Sequence, residues 1–166
     1  MGRGEIMKTT IVFANEISYE TVAELIKQLE EHSDKQINLY FSSAGGGVGA
    51  GEVLTDYFNY RGLDLTLISN WSMNSVAFEV FFKSISINKR IMPNTHSVIH
   101  FARRDMSSID LKDKKTYEYF LFEDVKKGNS EYLKFLAKIG ISKNDIETVR
   151  KGKDVILDYD RLKELL

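Results

Sequence analysis

The period of the apolar residues switches repeatedly along this chain, and that switching restricts its fold more than any other feature. Lys8–Phe13 is a short β-prone run rich in Thr, Ile and Val. Ser18 follows as a helix cap, because its hydroxyl accepts from N–H groups that a first helical turn leaves free. Val22, Leu25, Ile26 and Leu29 then fall at i, i+3, i+4 and i+7, which makes one helix face. Ile37–Phe41 is a second strand. A glycine cluster leads into a helix on which Val53, Leu54, Tyr57 and Phe58 share a face, ended by Gly62. Leu63–Ser69 reads as a third strand and Asn74–Lys83 as an apolar helix. Two further strands, Ile85–Met92 and Ser97–Arg103, flank Pro93, the only proline. A helical stretch over about Leu111–Lys138 contains Gly128, where it can bend. A helix from Lys143 to Lys151 capped by Ser142, a strand Val155–Leu157 and a last helix Tyr159–Leu166 complete the reading. Strands alternating with helices predict an α/β fold with mostly parallel strands.

Length and composition narrow the function classes. The 166 residues fit one domain, read as residues 8–166 behind a leader of residues 1–7, with Met7 an alternative start. Cysteine is absent, which excludes disulfides, cysteine-ligated metals and thiol catalysis. Twenty-three basic residues against 24 acidic ones give a net charge of −1, so no nucleic-acid partner is expected. No run approaches the roughly 18 apolar residues of a membrane span, and no basic start precedes a long apolar core. The expectation is a cytoplasmic protein without a membrane partner. No cofactor and no metal are expected.

Four segments carry groups capable of chemistry. Ser43-Ala44-Gly45-Gly46-Gly47 stands between a strand and a helix, where close backbone approach and free N–H groups form an anion cradle, or simply a turn. The phosphate-loop lysine and the dinucleotide glycine pattern are both absent. Asn70–Ala77 joins a strand to an apolar helix. A serine there projects its hydroxyl over the sheet edge, or caps the helix. His100 lies on an apolar strand, where a buried core histidine is the common outcome. His32 ends an exposed helix and His96 sits in a polar turn. Asp154 stands at a loop-to-strand junction, with Asp158 and Asp160 as competitors.

These segments follow the order of a known family. Leu39-Tyr40-Phe41-Ser42-Ser43-Ala44-Gly45-Gly46-Gly47-Val48 resembles the strand and Ser-Pro-Gly-Gly turn of Clp-type proteolytic subunits. Arg90-Ile91-Met92-Pro93-Asn94-Thr95, then Ser97-Val98-Ile99-His100, resembles their Pro-Asn-Ser and Ile-His segment. The resemblance runs over about residues 8–166. Ser72-Met73 looks like the family's Ser-Met pair, but Ser75 lies 18 residues before Pro93 and 25 before His100, the family's ungapped intervals. Counting from Ser72 makes both three too long. The nucleophile is therefore assigned to Ser75, with Ser72 the competitor.

The resemblance implies a ClpP/crotonase-like fold, a stacked ββα superhelix with a protruding handle helix. It implies a serine endopeptidase: Ser75 attacks, His100 moves the proton and Asp154 orients the imidazole. Gly45 and Val76 N–H groups would form the oxyanion hole. The substrate would be a peptide or an unfolded protein. Ala44 stands where the family has proline, and Arg103-Arg104-Asp105 replaces a glycine-rich strand. Tyr117–Phe122, with Tyr132, Leu133, Phe135 and Leu136, is apolar nearly all round a helix, which predicts burial on most sides. A homo-oligomer follows, and since the segment resembles the family's handle helix that joins two stacked rings, the resemblance implies a heptameric ring or a tetradecamer of two rings. The family's axial-loop segment is missing, so an AAA+ unfoldase partner would lack its usual dock. Two other readings stay open: a scaffold subunit of the same fold, and a crotonase-type acyl-thioester enzyme. A Ser-Lys dyad through Lys83 ranks low, because Lys83 lies two turns beyond Ser75.

Overall fold

The structure is a computed structural model, and it describes residues 8–101 and 126–166. The chain divides into two compact units. The first holds Met1–Val98, Ile156–Glu164 and Leu166, and the second holds Ile99–Val155 and Leu165.

In the first unit the elements alternate as β1 (Lys8–Ala14), α1 (Tyr19–Glu30), β2 (Gln36–Ser43), α2 (Val48–Tyr60), β3 (Leu65–Met73), α3 (Val76–Lys83) and β4 (Asn88–Ile91). The strands form one sheet in the order β1-β2-β3-β4, with every pair parallel. Ile11 pairs with Leu39, and Leu39 with Leu67. Period-2 alternation sends Ile37, Leu39 and Phe41 of β2 to the core, while Asn38 and Tyr40 stay half-exposed. Phe13 and Phe41 stack with ring centroids 5.4 Å apart. Leu25 and Leu29 of α1, Leu54 and Phe58 of α2, and Phe78 and Phe81 of α3 are buried with them. Each such side chain contributes about 1.5–3 kcal/mol of burial free energy.

The termini follow the sequence. Ser18 caps α1 by accepting the Thr21 N–H, and Thr21 Oγ1 in turn accepts the Ser18 N–H. Gly62 follows the end of α2 with φ = 71°, a left-handed conformation open to glycine at little cost. The buried face of α2 differs from the one expected. Val53 is 45% exposed, and Ala50, Gly51, Leu54, Thr55 and Phe58 face inward. The cause is Gly51. A Cβ there would lie 2.5 Å from Val76 Cγ2, so its bare backbone lets α3 approach and rotates the packed face.

Strand β3 runs to Met73, four residues beyond the sequence boundary. Its register with β2 breaks after Phe41↔Ser69 and resumes at Ser43↔Met73, so β3 carries extra residues in a bulge. Trp71, at φ = 91°, sits in that bulge. Strand β4 is shorter than expected. Strands β5 (Ser97–Ile99) and β6 (Val155–Leu157) form a second, two-stranded sheet. The short α6 (Tyr159–Lys163) is capped by Asp158, which accepts the Arg161 N–H at 3.1 Å.

In the second unit, α4 (Lys126–Lys138) passes through Gly128, and α5 (Lys143–Arg150) is capped by Ser142 as expected. On α4 only Tyr132 and Leu136 are buried; Leu133 and Phe135 are half-exposed. Within this chain α4 therefore has one core face rather than burial on most sides. Tyr117–Phe122, the rest of the expected handle, lies outside the described residues.

Candidate active site

In a parallel sheet the loops after successive strands emerge at the same edge, and here the loops after β2 and β3 meet. The Asn74 N–H donates to Ser43 O at 3.0 Å. A Cβ added to Gly45 would lie 2.8 Å from Ser75 Cβ and 3.4 Å from Ser75 Oγ. Only a glycine, at φ = 106°, lets these two turns touch.

Ser75 occupies the strand-to-helix turn with φ = 53° and ψ = −125°. A non-glycine residue at positive φ is strained, by roughly 1–3 kcal/mol, and such strain clusters at functional sites. Ser75 stands at the cap position of α3 yet makes no side-chain cap hydrogen bond. The capping role, which local sequence favours, is therefore not used. Its N–H donates to Val98 O at 2.8 Å. Ser72 differs on each count: it lies inside β3, and its hydroxyl bonds Ser42 Oγ at 3.3 Å.

Backbone donors surround Ser75. The Ala77 N–H bonds Asn74 O and the Phe78 N–H bonds Ser75 O. No acceptor takes the Val76 N–H among the described residues. The Gly45 N–H, expected to be the other donor, is committed: it donates to the buried Ser43 Oγ at 3.1 Å. The neighbouring Gly46 stands opposite Ile17. Ile17 donates to Gly45 O and accepts from the Gly47 N–H, each at 2.8 Å, as in a parallel ladder. In that pattern the central residue turns its own N–H away from the partner strand. The Gly46 N–H thus faces away from Ile17 and has no acceptor among the described residues.

His100 and Asp154 belong to the second unit. The half-buried His100 ring bonds Phe101 O through Nδ1 at 2.6 Å. A carbonyl only accepts, so Nδ1 is the donor in this bond. Asp154 is exposed after the Lys151-Gly152-Lys153 turn. Asp158, the competitor, caps a helix by accepting the Arg161 N–H.

Sequence reasoning missed two supports. Asn74 Oδ1 accepts the Val98 N–H at 2.9 Å, and Ser97 Oγ donates to Met73 O. Polar residues flanking a strand-to-helix turn were the available signal. Ser43 was also missed, although Ser-x-Gly is a known pattern for a hydroxyl bonding the backbone two residues on.

The model of the Clp protease family matches residues 3–120, well over half of the chain. The chain belongs to the Clp protease family. Among solved structures, an asparagine-to-aspartate mutant of ClpP1 from Listeria monocytogenes is similar with a TM-score of 0.62 and 20% identity. The match covers 94% of this chain and 86% of that one. At that identity the likeness establishes the ClpP-like fold of this Clp protease family member. No helix among its described residues is long and apolar enough to cross a membrane.

Proposed function

We propose that this Clp protease family member is a serine endopeptidase with Ser75 as nucleophile. The observation that carries the reading is the strained, uncapped Ser75 turn packed against Gly45. Ser75 Oγ attacks a peptide carbonyl while His100 Nε2 takes its proton. The developing oxyanion accepts from the Gly46 and Val76 N–H groups, each worth about 3–4 kcal/mol in the transition state. Collapse expels the amine, which takes the proton back from His100. Water then repeats the cycle on the acyl-enzyme. Asp154 remains the carboxylate of the triad, and its part begins when Nδ1 exchanges Phe101 O for it. Chains of this kind assemble into a ring or a pair of rings that enclose the sites and admit peptides or threaded unfolded chains.

The Nδ1 bond to Phe101 O also supports a second reading, a scaffold subunit of the same fold whose imidazole is not poised. Labelling with a serine-directed fluorophosphonate, followed by peptide mapping, separates the two. Adduct on Ser75 is the expected result; adduct on Ser72 or on neither serine overturns the nucleophile assignment.

A further inference from the structure

The turn that carries Ser75 is held by a ladder whose pattern changes at one rung. His96 donates its N–H to Trp71 O at 2.9 Å, and its carbonyl accepts the Met73 N–H at 3.1 Å. That is the alternation of a parallel pair, with Ser72 opposite His96. Continued by two residues, it would join the Val98 N–H to Met73 O and the Ser75 N–H to Val98 O. The second bond forms, at 2.8 Å. In place of the first, Val98 donates to Asn74 Oδ1 at 2.9 Å, and the carbonyl of the fully buried Met73 accepts from the Ser97 hydroxyl. A side-chain amide offers the same acceptor as a peptide group and can stand in for one. Two side chains thus supply the rung where the main chain leaves β3 for α3.

We propose that Asn74 and Ser97 are positioning residues for Ser75: together they rebuild the missing rung and so hold its backbone at φ = 53° and ψ = −125°. The inference rests on the peptidase reading above and adds to it the device that aims the nucleophile. A strained backbone persists only where its surroundings over-determine it. Here the turn is fixed from two sides. The Asn74 N–H donates to Ser43 O at the end of β2, while its side chain and the Ser75 N–H grip both main-chain groups of Val98. With Asn74 shortened, the Val98 N–H loses its acceptor and one bond alone joins residue 98 to the turn. With the Ser97 hydroxyl removed, the buried Met73 carbonyl loses this donor. Either change gives the turn a route to relax its φ, and a reacting group misplaced by about 1 Å loses on the order of 100-fold in rate.

The test reads the backbone and the hydroxyl separately, in wild type, Asn74→Ala, Asn74→Asp, Ser97→Ala and Leu29→Val. Leu29 is buried on α1 and takes part in none of these bonds, so its variant controls for loss of stability alone. Amide exchange at Ser75 is expected to quicken about tenfold in Asn74→Ala and Ser97→Ala. It should stay near wild type in Asn74→Asp, which keeps the acceptor, and in Leu29→Val. Labelling of Ser75 by a fluorophosphonate, at a temperature where circular dichroism shows every variant folded, should slow at least about tenfold in the two alanine variants and stay unchanged in Leu29→Val. On a fluorogenic peptide the loss should fall on kcat, with KM within about twofold. Asn74→Ser, whose hydroxyl is one bond too short to span the same gap, takes the place of Asn74→Ala should that variant not fold. Wild-type labelling rates in the alanine variants, or an equal loss in Leu29→Val, overturn the proposal. Wild-type protein that takes no label removes the peptidase reading. The exchange rates then decide by themselves: faster exchange keeps the two side chains as the hold on the turn, and unchanged exchange removes them.

Discussion

Asn74 and Val98 are tied side chain to main chain: Asn74 Oδ1 accepts the Val98 N–H at 2.9 Å. The next residue completes the clasp, since the Ser75 N–H donates to Val98 O at 2.8 Å. Asn74→Ala leaves the Val98 N–H without its acceptor, which costs roughly 1–3 kcal/mol. Asn74→Asp keeps an acceptor oxygen. Urea unfolding should place Asn74→Ala below wild type by about that amount, with Asn74→Asp between them. Equal midpoints for Asn74→Ala and wild type would mean that the clasp contributes nothing.

Ser75→Ala is expected to lower peptide hydrolysis by roughly 1,000-fold or more, the usual scale for loss of a nucleophile. Ser72→Ala removes a part-buried bond to Ser42 and should leave most of the activity. Steady-state rates on one fluorogenic peptide compare the two. Loss confined to Ser72→Ala would shift the nucleophile by three residues.

Glu30 on α1 takes two bonds from Arg61 just past α2, Nε at 2.7 Å and Nη2 at 2.8 Å, and a third from Tyr57 at 2.9 Å. The Arg61 guanidinium, then the Tyr57 hydroxyl, hold its carboxyl below the ordinary value of 4.5. Because the folded value is lowered, the stabilisation is complete well above pH 4.5 and fades as pH falls through the folded value. The group is at the surface, so salt weakens the effect. The difference in melting temperature between wild type and Glu30→Gln should be largest near neutral pH and low salt. It should shrink in acid. A difference constant from pH 7 to pH 3 would show that the charge is not involved.

An assembly prediction rests on α4, whose Leu133 and Phe135 stay half-exposed beside the buried Tyr132 and Leu136. Size-exclusion chromatography with light scattering should give about seven or fourteen times the 19.1 kDa chain mass. A single 19.1 kDa species at micromolar concentration would remove the ring.

Much of the architecture was legible because each strand and helix of the first unit has a clean period. Ile37, Leu39 and Phe41 alternate, and Val22, Leu25 and Leu29 share a face. What the periods could not show came from close approaches. Val53 looked inward until Gly51, with no side chain, admitted α3 from another side. The turn proposed to carry the nucleophile was singled out by intervals in sequence, and the structure adds its positive φ at Ser75. The bond from the Gly45 N–H to Ser43 Oγ was not legible, because it depends on where one hydroxyl points. The imidazole bond to Phe101 O was likewise illegible, because a main-chain carbonyl has no sequence signature.

The backbone at Ser75 sets folding against the proposed chemistry at a single residue. With φ = 53° and ψ = −125°, that position is one where glycine would relieve strain and so stabilise the chain. A lineage selected for heat tolerance alone would gain by Ser75→Gly, and it would lose its hydroxyl in the same step. Serine at this corner is thus a sensitive record of whether a chain of this fold is still under selection to cut.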